Sequence, residues 1–136
     1  NNISEAIWQK FVFLASLSAM TTLTRLPLGP LREDPDTRAL FESLAEEVVD
    51  IARARGVKLA DGTVEAMLQR LDALPPEMVA SMLGDLQRGN RLELPWLSGA
   101  VVKLGRELRV PTPTHEFVHA ALKLHADGRH PSARPV

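Results

Sequence analysis

The chain has 136 residues, 45% of them hydrophobic and 24% charged, with a net charge of −1 and no cysteine. That is enough apolar material for one domain with a real core. The near-neutral balance gives no basis for a nucleic-acid or anionic-membrane partner, and the missing thiols exclude disulfides, thiolate catalysis and zinc–thiolate sites. Zero cysteine fits a cytoplasmic protein. The first residue is Asn1 and no basic-apolar-cleavage pattern follows, so the chain reads as a piece of a longer protein or a processed product.

Ser4 is placed to cap a first helix running through Trp8 and Lys10 to about Arg25. Between Phe11 and Met20 this helix is apolar on almost every side, yet the run is shorter than the ~20 residues of a membrane span. It reads as a central helix surrounded by others, with Lys10 one turn before the buried part. Pro27, Gly29 and Pro30 break the chain, and Asp34-Pro35 opens a second helix with aspartate as cap and proline in the first turn. Leu40, Phe41, Leu44, Val48, Ile51 and Ala52 form its expected buried stripe, and Gly56 ends it.

A third helix follows Asp61-Gly62, with Val64, Met67, Leu68, Leu71 and Leu74 on one face, and Pro75-Pro76 closes it. Met78, Val79, Met82, Leu83 and Leu86 then repeat at helical spacing around Ser81, with Gly89 as C-terminal cap. Pro95 suits the first turn of a further helix whose stripe is Trp96, Leu97, Ala100, Val101, Leu104 and Leu108. Glu93 stands just before that helix, where the backbone dipole favours a carboxylate. A Pro111-Thr112-Pro113 turn leads to a last helix carrying Phe117, Val118, Ala121 and Leu122. Residues 127–136 lack apolar periodicity and read as a flexible tail after a domain of residues 1–126. No segment alternates as a strand and no repeat is visible, so the fold class is all-α with about six helices.

Ser81-Met82-Leu83-x-Asp85, then Gly89-Asn90-Arg91-x-Glu93 and Trp96-Leu97-Ser98-Gly99, together resemble the signature of the ketopantoate reductases, in their C-terminal helical domain. Trp8-Gln9-Lys10, Pro27-Leu28-Gly29, the stretch from Glu47 to Gly56 and Pro111-Thr112-Pro113-Thr114 extend the resemblance over nearly the whole chain. It implies a helical fold like the 6-phosphogluconate dehydrogenase C-terminal domain, within an NADP-dependent enzyme that reduces ketopantoate to pantoate in pantothenate biosynthesis. It also implies an N-terminal Rossmann domain as partner. That domain is absent from this chain, which contains no Gly-x-Gly-x-x-Gly to cradle a dinucleotide, so the piece alone is expected to be folded but inactive. Its cofactor-binding residues cannot be named from this sequence. Association through this domain into a homodimer is a further implication.

By the same resemblance, Lys10 is the general acid that protonates the carbonyl oxygen, and Glu93 and Ser81 hold the substrate. Read without it, Lys10 is a solvated lysine, Glu93 a helix-terminus carboxylate and Ser81 a surface hydroxyl. Ser18 and Ser98 occupy further substrate-side positions, and Leu14 and Ser18 stand where asparagines are common in the family. An apolar Leu14 makes no amide hydrogen bonds, so the preferred small 2-oxo acid need not be ketopantoate. A non-catalytic helical dimerisation or interaction module is the alternative from another class.

His115-Glu116-Phe117-Val118-His119 matches the His-Glu-x-x-His zinc pattern. It begins directly after Pro113 rather than mid-helix, and only His125 and His130 lie downstream as third ligands. We read it as a structural segment and expect no metal.

Overall fold

A computed structural model describes residues 2–134. Among these the regular elements are all helical: α1 (Asn2–Thr24), α2 (Leu28–Glu33), α3 (Pro35–Ala54), α4 (Thr63–Ala73), α5 (Ser81–Arg88), α6 (Ser98–Leu108) and α7 (Pro113–Leu122). Short 3₁₀ turns at Leu94–Trp96 and Lys123–His125 precede α6 and follow α7.

The fold is wrapped around α1, which packs most heavily on α3 and also meets α2, α4, α5 and α7. By length and composition α1 could cross a membrane. Its apolar half is instead enclosed by protein, since every residue from Val12 to Thr22 is buried except Leu14. The helix already runs at Asn2, so Ser4 lies inside it rather than capping it.

α3 forms as its sequence dictates. Asp34 accepts hydrogen bonds from the Asp36 and Thr37 amides, with Pro35 in the first turn. Phe41, Leu44, Val48, Ile51 and Ala52 are buried, and each large side chain contributes roughly 1.5–3 kcal/mol relative to exposure. Leu40 falls off this face and is 40% exposed.

Two other expectations are corrected. Where prolines and a glycine suggested only a break, α2 forms, because its first amides are satisfied by distant backbone rather than by a capping side chain. Leu28 donates to the Met78 carbonyl (2.9 Å) and Gly29 to that of Pro76 (2.7 Å). A Cβ on Gly29 would lie 2.8 Å from that of Pro76, so only glycine allows this approach. Residues 78–80, expected to be helical, are not. Ala80 is extended (φ −78°, ψ 152°), its amide is held by Thr21 Oγ1 at 3.2 Å, and α5 starts at Ser81.

The helix expected from Pro95 is divided. Leu97 (φ −111°, ψ −104°) separates the 3₁₀ turn from α6. Trp96 therefore does not share the phase of the α6 stripe and is 75% exposed. Phe117 and Ala121 likewise sit outside the buried face of α7, which is His115, Val118 and Leu122. Gly89 does cap α5 in the left-handed conformation (φ 73°). Beyond α7 the chain turns back toward this cap: Leu92 donates to the Ala126 carbonyl at 2.8 Å, and a Cβ on Gly89 would stand 3.2 Å from that of Arg129.

Candidate active-site face

Lys10, Leu14 and Ser18 recur every four residues on α1 and so share one stripe of the helix. The stripe descends from solvent into the core: Lys10 is exposed, Leu14 is 39% exposed and Ser18 is buried. The hydroxyls of Ser16, Thr21 and Thr24 each donate back to the carbonyl four residues earlier. Ser18 has no hydrogen-bond partner among the described residues, and the Thr22 hydroxyl one turn on is buried without one.

Ser81 reaches this region through the backbone. The Ala80–Thr21 hydrogen bond fixes the start of α5 against α1 one turn beyond Ser18. Ser81 is the first residue of α5, exposed, with a hydroxyl that bonds no other described group. Glu93 is exposed and immediately precedes the 3₁₀ turn. Lys10 and Glu93 form no ion pair with each other or with another described residue. Both charges are thus uncommitted among the described residues.

Ser98 is different. It is 1% exposed, and its hydroxyl lies 3.0 Å from Nδ1 of His115, itself fully buried. His115 Nε2 is 3.0 Å from the Leu44 carbonyl, which can only accept. The proton is therefore on Nε2, and Nδ1 accepts from Ser98. Burial pushes the imidazole pKa down, while the Leu44 carbonyl and the Glu47 charge pull it up. Glu47 accepts from the Thr114 and His115 amides at 2.9 and 3.0 Å, capping α7 from the side of α3. With both ring nitrogens engaged, His115 offers no lone pair to a metal. No group of three potential ligands gathers among the described residues.

Sequence reasoning missed this buried network. Its trace was present: His115 lies three and seven residues before Val118 and Leu122, and Glu47 falls within the spacing of Leu44, Val48 and Ile51. Polar residues in core register need partners, and these are partners for one another.

Residues 2–126 match the family described as Ketopantoate reductase PanE/ApbA C terminal. The chain belongs to that family. An uncharacterized oxidoreductase of Bacillus subtilis, YkpB, is 28% identical over 91% of this chain and 41% of its own length. A 2-dehydropantoate 2-reductase of Pyrobaculum aerophilum is 31% identical over 85% of this chain and 41% of its own. Among solved structures, a PanE/ApbA family ketopantoate reductase from Ralstonia eutropha superposes with a TM-score of 0.81 at 33% identity, over 90% of this chain and 41% of that one. A dimeric ketopantoate reductase from Staphylococcus aureus gives 0.85 at 25% identity, over 93% and 44%. The chain thus spans about two fifths of the length of these relatives.

Proposed function

We propose that this ketopantoate reductase C-terminal domain supplies the proton donor and substrate-orienting groups of an NADP-dependent 2-oxo acid reductase, ketopantoate being the first substrate to test. The observation that carries the reading is the family match over residues 2–126, which includes an exposed, unpaired Lys10 on the stripe of Leu14 and Ser18. The described residues contain no strand and no glycine-rich strand–turn–helix, so they do not fit a dinucleotide pyrophosphate. NADP, whose chemistry is hydride donation, falls to an N-terminal Rossmann domain, for which the greater length of the relatives leaves room.

In this reading the ketone oxygen, as its carbon is reduced, takes a proton from the Lys10 ammonium, leaving a neutral amine and a hydroxyl product. The free hydroxyls of Ser81 and Ser18 and the unpaired Glu93 carboxylate orient the substrate by hydrogen bonds. Ser98, expected on the substrate side, has its hydroxyl turned to His115. Its contribution is to fix the segment that follows Glu93.

A second reading has its own observation. Leu14 is the one uncovered residue between Val12 and Thr22, one turn from Lys10. An apolar wall there favours a 2-oxo acid with a more apolar side group than ketopantoate. A cytoplasmic location agrees with the absence of cysteine. Pairing of two copies is supported by the exposed Phe117 and Leu124, 66% and 67% accessible, and by the dimeric Staphylococcus relative.

The test is NADPH oxidation by the full-length protein with ketopantoate and a panel of other 2-oxo acids, wild type against Lys10→Ala. Turnover that falls by roughly 10²–10⁴ in the variant supports the assignment of Lys10. Turnover confined to a more apolar acid keeps the mechanism and moves the substrate. No turnover on any 2-oxo acid overturns the enzyme reading.

A further inference from the structure

A concavity of about 210 Å³ lies at the far end of α1 from Lys10, about 20 Å along the helix. Three separate segments line it: Arg25 just past α1, Gln87 in the last turn of α5, and His125, Arg129 and Arg134 from the chain after α7. Three arginines and a histidine line one space, and no Asp or Glu is among its described lining residues. On a chain of net charge −1 this is a pronounced local excess of positive charge.

The nearest acids do not neutralise it. Asp85 on α5 is taken by Arg88 at 3.3 Å and by the Asn90 side chain at 3.4 Å, and Asp127 is exposed and outside the lining. Arg129 and Arg134 make no ion pair or hydrogen bond to another described residue. The Arg25 guanidinium makes one long contact, to the Leu23 carbonyl at 3.5 Å.

Basic residues at helix C-termini have an ordinary explanation, since each terminus carries about −0.5 of an elementary charge. The ends of α1 and α5 meet here, and together they offset roughly one of the three guanidinium charges. The α5 terminus is already capped, with the Asp85 and Leu86 carbonyls accepting from Asn90 and Gly89. About two positive charges remain without a counterpart among the described residues.

We propose that this concavity binds a small doubly charged phosphate group, either free phosphate or a phosphate monoester. Planar guanidiniums match phosphate oxygens pairwise, and two or three of them arriving from different directions suit a tetrahedral anion better than a flat monocarboxylate. The volume is below the ~300–1,000 Å³ of sites that enclose whole drug-sized ligands, so it fits the phosphate group itself. The site is separate from the Lys10 stripe and does not depend on the proposed reductase activity.

The test is calorimetric titration of the 136-residue chain at pH 8 and constant ionic strength, with inorganic phosphate, glycerol 3-phosphate, succinate and acetate as probes. Amide chemical shifts locate the binding. Phosphate is expected to bind saturably with a Kd of about 1 mM or below. Glycerol 3-phosphate binding more tightly than phosphate would identify the monoester as the preferred form, and the reverse would identify the free ion. Shifts should centre on Gln87, Gly128 and Arg129. Arg25→Gln with Arg129→Gln should weaken binding at least about tenfold, whereas Arg106→Gln, an exposed residue of α6 outside the lining, should leave it unchanged. All these side chains are exposed, and circular dichroism checks that each variant is folded. No saturable phosphate binding, shifts centred elsewhere, or an unaffected double variant would overturn the proposal. Succinate or acetate binding as tightly as phosphate would overturn the assignment to phosphate.

Discussion

The buried imidazole makes stability depend on pH in a way that no surface residue of this chain would. His115 is neutral in the folded state, donates from Nε2 to Leu44 and accepts at Nδ1 from Ser98, both at 3.0 Å. Protonation would place a second N–H where a hydroxyl now donates and a charge where nothing is solvated, and burial accordingly lowers its pKa from the ordinary 6.5. In the unfolded chain the ring titrates normally. The unfolded state therefore binds more protons than the folded state between the ordinary value and the lowered one. The stabilisation is complete above pH 6.5 and is lost as pH falls toward the folded-state value, at up to about 1.4 kcal/mol per unit.

Urea unfolding followed by circular dichroism at pH 5, 6, 7 and 8 measures this, in wild type and His115→Gln. Glutamine keeps a donor and an acceptor but does not titrate. The variant should be less stable at pH 8 by about 1–3 kcal/mol, from imperfect replacement of two buried hydrogen bonds. The gap should narrow toward pH 5, because only the wild type loses the histidine contribution. Groups remote from His115 are common to both proteins and cancel in the difference. A gap that stays constant from pH 8 to pH 5 would refute the assignment of a neutral, pKa-depressed His115.

Four further perturbations test the packing. Glu47→Ala strips the Thr114 and His115 amides of their acceptor and should cost about 2–4 kcal/mol in urea unfolding; a loss below 1 would show that these bonds do not hold α7. Gly105→Ala would bring a Cβ within 2.7 Å of the Val110 carbonyl and Thr112 Cγ2, so thermal melts should show a loss of about 1–3 kcal/mol. Asp34→Ala should cost about 1 kcal/mol, since it removes the acceptor for two α3 amides. Arg38→Ala should cost no more than about 0.2–1 kcal/mol although its contact with Asp72 is 2.8 Å, because the side chains are 35% and 48% exposed and solvent screens the pair.

The sequence was most informative where a local rule and a tertiary need coincide. Asp34-Pro35 caps α3 by chemistry confined to four residues, and Gly89 ends α5 because only glycine enters the left-handed region without strain. Phe41, Leu44, Val48 and Ile51 bury the face that their period marks. The failures share one cause, a partner distant in sequence. α2 exists because the carbonyls of Pro76 and Met78 receive its first amides, which no inspection of residues 27–33 reveals. α5 begins at Ser81 because a threonine 59 positions earlier holds Ala80 extended. Trp96 is exposed because one residue, Leu97, resets the helical phase.

The candidate site divides along the same line. Lys10, Leu14 and Ser18 fall on one stripe by helical arithmetic alone, so their association was visible in the spacing. Ser81 joins them only through the Thr21 contact. The engagement of the Ser98 hydroxyl follows from His115, which opens a His-Glu-x-x-His match but whose spacing to Val118 and Leu122 marks it as core, in keeping with the structural reading of that segment. The general consequence is physical: a histidine in apolar register has either to find two partners or to remain costly, and here a serine hydroxyl and a helix carbonyl supply them. The Ser98 hydroxyl is engaged in the process, whereas Lys10, Glu93, Ser81 and Ser18, the other residues proposed for the site, have no side-chain partner among the described residues.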